Sequence, residues 1–288
     1  MKSLKVLFSE NIAKISPKLF FSIAYLHNRG KFPNFKKPSD LSEIWISRVL
    51  SGDCNKLYKL ADKYAVREYV KEKGLKDILV PLLGVWESPE DIDFATLPNQ
   101  FALKINFGAG MNIICMDKSK LNIIEAKEKL SNWLKINTYS NSERHYNLID
   151  RKIICEEFIH DGHNGFPYDY KFICIHGKAF CVLACEGRES LHADYMPYSM
   201  DWKPLVDYKK GDIPATITKP PHFEKMKYIA EQLSQGIDLV RVDLYDSDKG
   251  IVFGEMTLTP AGCIFHRWTQ KALDDMGKFY LKFKDKGN

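Results

Sequence analysis

The stretch RVDLYDSDKGIVFGEMTLTPAG, residues 241–262, holds the side chains of this sequence best suited to chemistry. Two apolar runs flank the turn DSDKG, and each carries an acid, Asp243 on the first and Glu255 on the second. A strand alternates its side chains, so Asp243 shares a face with Arg241 and Tyr245, and a hairpin returns Glu255 opposite Asp243. Cross-strand partners stand about 5 Å apart at Cβ, and two carboxylates that close repel unless a hard divalent cation lies between them. Mg²⁺ takes oxygen ligands at about 2.0–2.1 Å, commonly one or two carboxylates together with substrate phosphates. Arg241 on the same face would meet phosphate oxygens with its planar fork. The competing reading is a solvated hairpin face with scattered charges, and the spacing alone does not choose between the two.

Other stretches favour a phosphate site. Lys104 ends an apolar strand, two residues before a turn that contains Gly108 and Gly110. Glycines let backbone amides approach a phosphate while a nearby Lys supplies charge, although neither G-x-x-x-x-G-K-[ST] nor G-x-G-x-x-G is present. IICEEFI places Glu156 and Glu157 where a strand exits into the polar loop HDGHNGFPY. Asp246 and Asp248 form the D-x-D pattern of metal-dependent glycosyltransferases, but Asp, Ser and Gly are favoured in turns for backbone reasons. HDGH at 160–163 has no Cys or third His at ligand spacing and reads as a mobile loop over the site. His145 has an acid–base or substrate role open to it on polarity alone. The five tryptophans read as core or seam residues, with Trp202 in MDWKPL the best candidate for a sugar platform. No triad or activated-Cys signature is present, which suits chemistry that needs no protein nucleophile.

These residues must be carried by a mixture of strands and helices. Ser16-Pro17 opens a helix whose face includes LFFSIAYL, a run far too short to cross a bilayer. Asp40 and Glu43 form a capping box before LSEIWISRVL, and KLYKLADKYAVREYVKEKG has helical spacing up to Gly74 as its C-cap. Strands are expected over DILVPLLGVW, FALKIN, IICMDK and RKIICEEFI, and DYKFICIHGKAFCVLAC reads as a hairpin turning at His176-Gly177-Lys178. Helices are expected over 120–136, 223–235 and 268–282. Hairpins outnumber βαβ units, so the class is α+β.

Composition sets the outer limits. The 288 residues hold 42 Lys or Arg against 37 Asp or Glu, a net charge of +5, too mild for a dedicated nucleic-acid binder and compatible with an anionic substrate. The seven cysteines include no CxxC pair and read as buried, reduced thiols of a cytoplasmic protein. No signal peptide and no integral membrane segment are expected.

Taken in order, a Lys before a helix, a Lys on a strand before a glycine turn, a strand ending in Glu-Glu and a hairpin bearing Asp and Glu resemble the ATP-grasp superfamily. Phrases such as KLYKLADKYAVREYVKEK, PLLGVWESPEDIDFATLPNQFALK and VRVDLYD…FGEMTLTPAG resemble its TupA-like branch, with the grasp pattern running from about 58 to 262. The resemblance implies two α+β subdomains clamping ATP: a helical segment over 1–57, a pre-grasp region over 58–100, and subdomains over 101–160 and 161–288. It implies nucleotide contacts from Lys63 and Lys104. Glu156 and Glu157, with the backbone of Phe158 and Ile159, would form the adenine hinge, and Asp169 would take the ribose. Arg241, with Lys171 as a further candidate, would meet the phosphates, and Mg²⁺ would lie on Asp243, Glu255 and Thr257. Arg241 and Lys104 would be the catalytic pair. It further implies an ATP-dependent carboxylate–amine ligase that works through an acyl phosphate. Its substrates would be a uronic acid of a bacterial surface polysaccharide and an amine donor such as an amino acid or amino alcohol. Two departures stand out: Thr257 replaces the usual Asn, and NFGAGMN replaces a loop like NHGSGG. They keep a non-catalytic nucleotide-binding protein open as an alternative, beside a glycosyltransferase using Asp246 and Asp248.

Overall fold

The computed structural model describes residues 16–136, 143–160, 167–185 and 195–284. The polar loop after His160 therefore lies mostly outside the described residues. Among the described residues the helices are α1 (Pro17–Arg29), α2 (Leu41–Ser51), α3 (Asp53–Lys56), α4 (Val66–Glu72), α5 (Ile123–Leu134), α6 (Phe223–Ser234) and α7 (Gln270–Lys284). The strands among the same residues are β1 (Leu82–Trp86), β2 (Phe101–Ile105), β3 (Asn112–Cys115), β4 (Ile153–Glu157), β5 (Asp169–Ile175), β6 (Lys178–Cys185), β7 (Tyr195–Ser199), β8 (Leu239–Ser247) and β9 (Gly250–Thr257). They form two antiparallel sheets, ordered β1-β4-β2-β3 and β7-β6-β5-β8-β9. The α+β class follows directly.

Period-2 alternation gives the second sheet two different faces. Tyr170, Phe172 and Cys174 of β5 and Val240, Val242 and Leu244 of β8 join a core with Phe223, Met226 and Leu233 of α6. On the opposite face, Ile173, Ile175 and Leu239 pack with Phe21 of α1, Trp45 of α2 and Met276 of α7. The helices cover only the end of that face near the β5–β6 turn. Its other half carries Asp169, Lys171, Arg241 and Asp243, so alternation that continues the core row at one end supplies charged groups at the other. All seven cysteines are buried, and none forms a disulfide among the described residues.

Three elements differ from the sequence expectation. The helix read through 56–74 is broken at Asp62, whose Oδ1 accepts from the amides of Tyr64 (2.8 Å) and Ala65 (3.2 Å) and from Asn106 Nδ2 (2.9 Å). An Asp that satisfies free amides ends one helical run and starts another. The strand read over 77–86 begins only at Leu82, because Lys76–Ile78 form a 3-10 turn and Pro81 has no amide to donate. In the capping box Asp40 accepts from the Glu43 amide at 2.9 Å as expected. Glu43 instead reaches past Asp40 to the amides of Ser39 and Asn34, each at 2.8 Å. Trp202 is stacked on Tyr198 at 4.3 Å and donates its indole N–H to the Ile217 carbonyl at 3.1 Å. One ring face is thus committed to packing.

Helix α7 approaches the start of α2 so closely that a Cβ on Gly277 would stand 2.2 Å from the Ser39 carbonyl oxygen and 2.8 Å from Asp40 Cα. In an isolated helix Gly→Ala stabilises by about 1 kcal/mol. Here backbone must move, so Gly277→Ala is expected to destabilise by about 1–3 kcal/mol, the usual cost of overpacking. The urea unfolding midpoint reads the sign.

Candidate functional site

Three strands of the second sheet place charges in one row. Lys171 of β5 lies opposite Asp243 of β8, and Asp243 lies opposite Glu255 of β9. One step along, Arg241 is opposite Thr257. Regular alternation from the hairpin tip would not aim Glu255 this way, because Ile251 and Phe253 of β9 belong to the buried core. The register slips between Asp243 and Leu244, where Leu244 faces Phe253 and leaves Gly254 as an extra residue. After this bulge Met256 and Leu258 continue the core, and Glu255 and Thr257 turn to the charged face. A Cβ on Gly254 would stand 3.0 Å from the Asp243 carbonyl oxygen, which is why the bulge takes glycine.

The sequence leads one to expect that Asp243 and Glu255 repel unless a metal intervenes. In the structure Arg241 supplies that positive charge. Its Nε and Nη2 donate to Asp243 Oδ1 and Oδ2, both at 2.7 Å, and Nη2 also donates to Glu255 Oε1 at 2.7 Å. Lys171 Nζ donates to Asp243 Oδ2 at 2.6 Å and to Asp169 Oδ2 at 2.5 Å. Thr257 Oγ1 donates to Glu255 Oε1 at 3.0 Å. Burial opposes the charge on Lys171, but Asp169 and Asp243 outweigh it and raise the ammonium above its ordinary value. Burial likewise pushes the Asp243 carboxyl up, against the pull of Arg241 and Lys171. Burial would raise Glu255 too, yet Lys63, Arg241 and Lys171 prevail and hold it at about 2.

The influence of Lys63 on Glu255 brings in the first sheet. The break at Asp62 sets Lys63 against the glycine turn, where its Nζ donates to the Gly108 carbonyl at 2.6 Å and its amide donates to the Asn106 carbonyl at 2.8 Å. Burial lowers the Lys63 ammonium, partly offset by Glu255. Gly108 and Gly110 have φ of 67° and 76°, values an L side chain resists. The bulky neighbours Phe107 and Met111 are buried in the core, so they anchor the turn and leave its glycine backbone uncrowded. Lys104 Nζ donates to Glu156 Oε2 at 2.6 Å.

Arg67, missed in the sequence, donates from Nη1 to Glu156 Oε1 at 3.0 Å and from Nη2 to the Val80 carbonyl at 2.6 Å. Its one signal was its place a turn after Lys63. Glu156 is therefore held by two cations. Glu157, Phe158 and Ile159 lead out of the first sheet toward the β8–β9 hairpin, where the Asp248 amide donates to the His160 carbonyl at 3.3 Å.

The oxygens that a divalent cation would meet here are those of Asp243 and Glu255, bonded in the structure to Arg241 and Lys171, with the Thr257 hydroxyl beside them. An all-oxygen set with two carboxylates suits Mg²⁺. Arg241, bonded to both carboxylates, marks where a positive charge is satisfied between them, so these residues fit the ion. No group of three or more His, Cys, Asp and Glu that could hold a metal is found among the described residues. Asp246 belongs to β8 and contacts His222 Nδ1 at 2.9 Å, and Asp248 lies in the hairpin turn. His145 is fully buried, and burial lowers its imidazole to about 4.

The family described as TupA-like ATPgrasp matches residues 45–278, a span that contains every candidate site residue. Among solved structures the chain is similar to an L-amino acid ligase from Bacillus licheniformis, at 11% identity and TM-score 0.50, over 86% of this chain and 56% of that one. It is also similar to D-alanine–D-alanine ligase from Bacillus anthracis complexed with ATP, at 14% identity and TM-score 0.48, over 78% and 64%. A third is N5-carboxyaminoimidazole synthase from Aspergillus clavatus with ADP and 5-aminoimidazole ribonucleotide, at 13% identity and TM-score 0.44, over 69% and 44%. At 11% identity the first shows a likeness of fold alone, and the chain spans 44% to 64% of the length of the three. No curated protein matches. Family and fold agree with the arrangement of the two sheets: the chain belongs to the TupA-like ATP-grasp family.

Proposed function

We propose that this protein is an ATP-dependent carboxylate–amine ligase. The observation that carries the reading is the row Lys171–Asp243–Glu255, tied together by Arg241 and joined electrostatically to Lys63 of the opposite half. Across the two halves, Lys63, Arg67, Lys104, Lys171 and Arg241 meet Glu156, Asp169, Asp243 and Glu255. Carboxylates that would hold a metal and cations that would meet phosphate are thus interleaved within one site. A simple anion sink would need only the cations.

In this reading the γ-phosphoryl group of ATP passes to a carboxylate oxygen of the acceptor, giving an acyl phosphate and ADP. The amine nitrogen then attacks the acyl carbon, the C–O bond to phosphate breaks, and an amide and phosphate leave after the amine loses a proton. Lys63 and Lys104 hold phosphate oxygens from the first sheet, and Arg241 and Lys171 hold them from the second. Their charges are fixed before reaction, so they favour the transition state without reorganising. Glu156 orients Lys104, the segment of Glu157, Phe158 and Ile159 borders the adenine, and Asp169 takes the ribose. Asp243 and Glu255, with Thr257 beside them, would hold Mg²⁺, which when bound neutralises charge on phosphate oxygens. No side chain acts as a nucleophile.

The TupA-like resemblance supports a uronic acid of a bacterial surface polysaccharide as the acceptor and an amino acid or amino alcohol as the amine. It also supports action in the cytoplasm, where ATP is supplied. No helix among the described residues is long and apolar enough to cross a membrane.

Asp243→Asn and Glu255→Gln are each expected to lower ATP-dependent phosphate release, assayed over panels of uronic acids and amines, by at least about a hundredfold, in line with losing a charge-stabilising group. Asp246→Asn and Asp248→Asn should stay near the parent rate. The reverse pattern, with nucleotide-sugar turnover and no ATP consumption, would replace this reading with a glycosyltransferase.

Glu255 also links the site to stability. Its folded pKa of about 2 lies below the ordinary 4.5, so its contribution is present above about pH 4.5 and is lost as pH falls through about 2. Glu255→Gln is therefore expected to destabilise at neutral pH, by about 1–2 kcal/mol once solvent screening is allowed for. That difference should shrink as unfolding is measured from pH 5 downward.

A further inference from the structure

The positive charge of this chain is gathered at one end. Residues 1–39 hold eight Lys or Arg and one acid, which leaves 34 against 36 in the other 249 residues. Between Glu10 and Asp40 there is no acidic side chain, while Lys14, Lys18, Arg29, Lys31, Lys36 and Lys37 fall in that stretch. Scattered solvation does not produce such a bias.

The described part of this segment is also apolar on the outside. Helix α1 buries Phe21 and Tyr25. One turn apart on its outer side, Leu19 and Ile23 stand 51% and 45% exposed, and His27 continues the row at the same spacing. Beyond the Gly30 cap, Phe32 is 69% exposed next to exposed Lys31, and exposed Lys36 and Lys37 follow. Arg29 pins α1 in place, donating from Nη1 to the Trp268 carbonyl at 2.8 Å and from Nη2 to the Phe265 carbonyl at 2.6 Å. The Lys210 amide donates to the Arg267 carbonyl at 2.8 Å, bringing a further cation beside the same segment. Burial and the like charges of Arg29, His27 and Lys210 lower the His266 imidazole, a sign that cations crowd there. This segment, 265–268, follows closely on β9, which carries Glu255 and Thr257.

A nucleic acid would use the lysines and gain nothing from Leu19 or Ile23. A bilayer with anionic headgroups uses both, since aliphatic and aromatic side chains enter the headgroup–acyl boundary while Lys meets lipid phosphates. We propose that the outer row of α1 and the 30–37 segment dock this protein on an anionic lipid surface. Leu19, Ile23 and Phe32 enter the interface, and Lys18, Lys31, Lys36 and Lys37 lie against headgroups. The proposal is independent of the ligase reading.

Co-sedimentation of the full chain with phosphatidylglycerol vesicles and with phosphatidylcholine vesicles tests it. Binding to phosphatidylglycerol alone, weakening as salt is raised, is expected. Combined Lys31→Glu, Lys36→Glu and Lys37→Glu should reduce it on the order of a hundredfold. Combined Ile23→Ser and Phe32→Ser should reduce it at least about tenfold with the salt dependence kept. All five positions are on the surface, and circular dichroism checks that the variants fold. Failure to bind phosphatidylglycerol vesicles overturns the proposal. So does binding that neither set of substitutions changes, or capture of DNA by the same lysines without capture of vesicles.

Discussion

One guanidinium shared by two carboxylates organises this molecule. Arg241 bonds Asp243 on its own strand and Glu255 on the next, and Asp243, 1% exposed, could not stay ionised there without a partner. Removing one member of such a group leaves an uncompensated charge. The sheet must therefore deliver Lys171, Arg241, Asp243 and Glu255 to one place in fixed register. That demand explains several features that local preference alone does not.

The bulge at Gly254 is the first. It shifts the phase of β9, so that Phe253 stays in the core while Glu255 and Thr257 face the charges. The broken helix at Asp62 is the second. A continuous helix through 56–74 would satisfy the local pattern, but the Asp62 cap and its bond to Asn106 tie the chain to the glycine turn and set Lys63 on Gly108. Helix α2 is the third. Trp45 donates its indole N–H to the Leu258 carbonyl at 2.6 Å and Ser42 donates to the Cys263 carbonyl at 2.5 Å. An N-terminal helix thereby clamps the segment that follows Glu255 and Thr257.

Much of this was legible in the sequence, for physical reasons. Period-2 alternation and a turn signal made β5, β8 and the hairpin readable from residue types, whereas the bulge at Gly254 that brings Glu255 opposite Asp243 breaks that alternation and could not be read from it. Helix ends at Ser16, Asp40 and Gly74 carry their own capping chemistry. What could not be read were interactions settled by tertiary contact. The apolar spacing around Asp62 is helical on either side, and only Asn106, 44 residues away, decides that the Asp caps. Arg67 looks like any exposed helix cation until Glu156 and Val80 are seen beside it. That Arg241 bonds both carboxylates is of the same kind, because the sequence does not show where a flexible Arg side chain will fold.

In the proposed function Asp243 and Glu255 would hold a divalent cation together with ATP, beside the Arg241 guanidinium that bonds both. Calorimetric titration with a non-hydrolysable ATP analogue, in Mg²⁺ and again in EDTA, tests it most directly. Binding at least about tenfold tighter with Mg²⁺ is expected, as a charge-assisted contact of about 1.5–3 kcal/mol requires, together with loss of that difference in Asp243→Asn. Equal affinity with and without the metal, or an undiminished difference in Asp243→Asn, would contradict it.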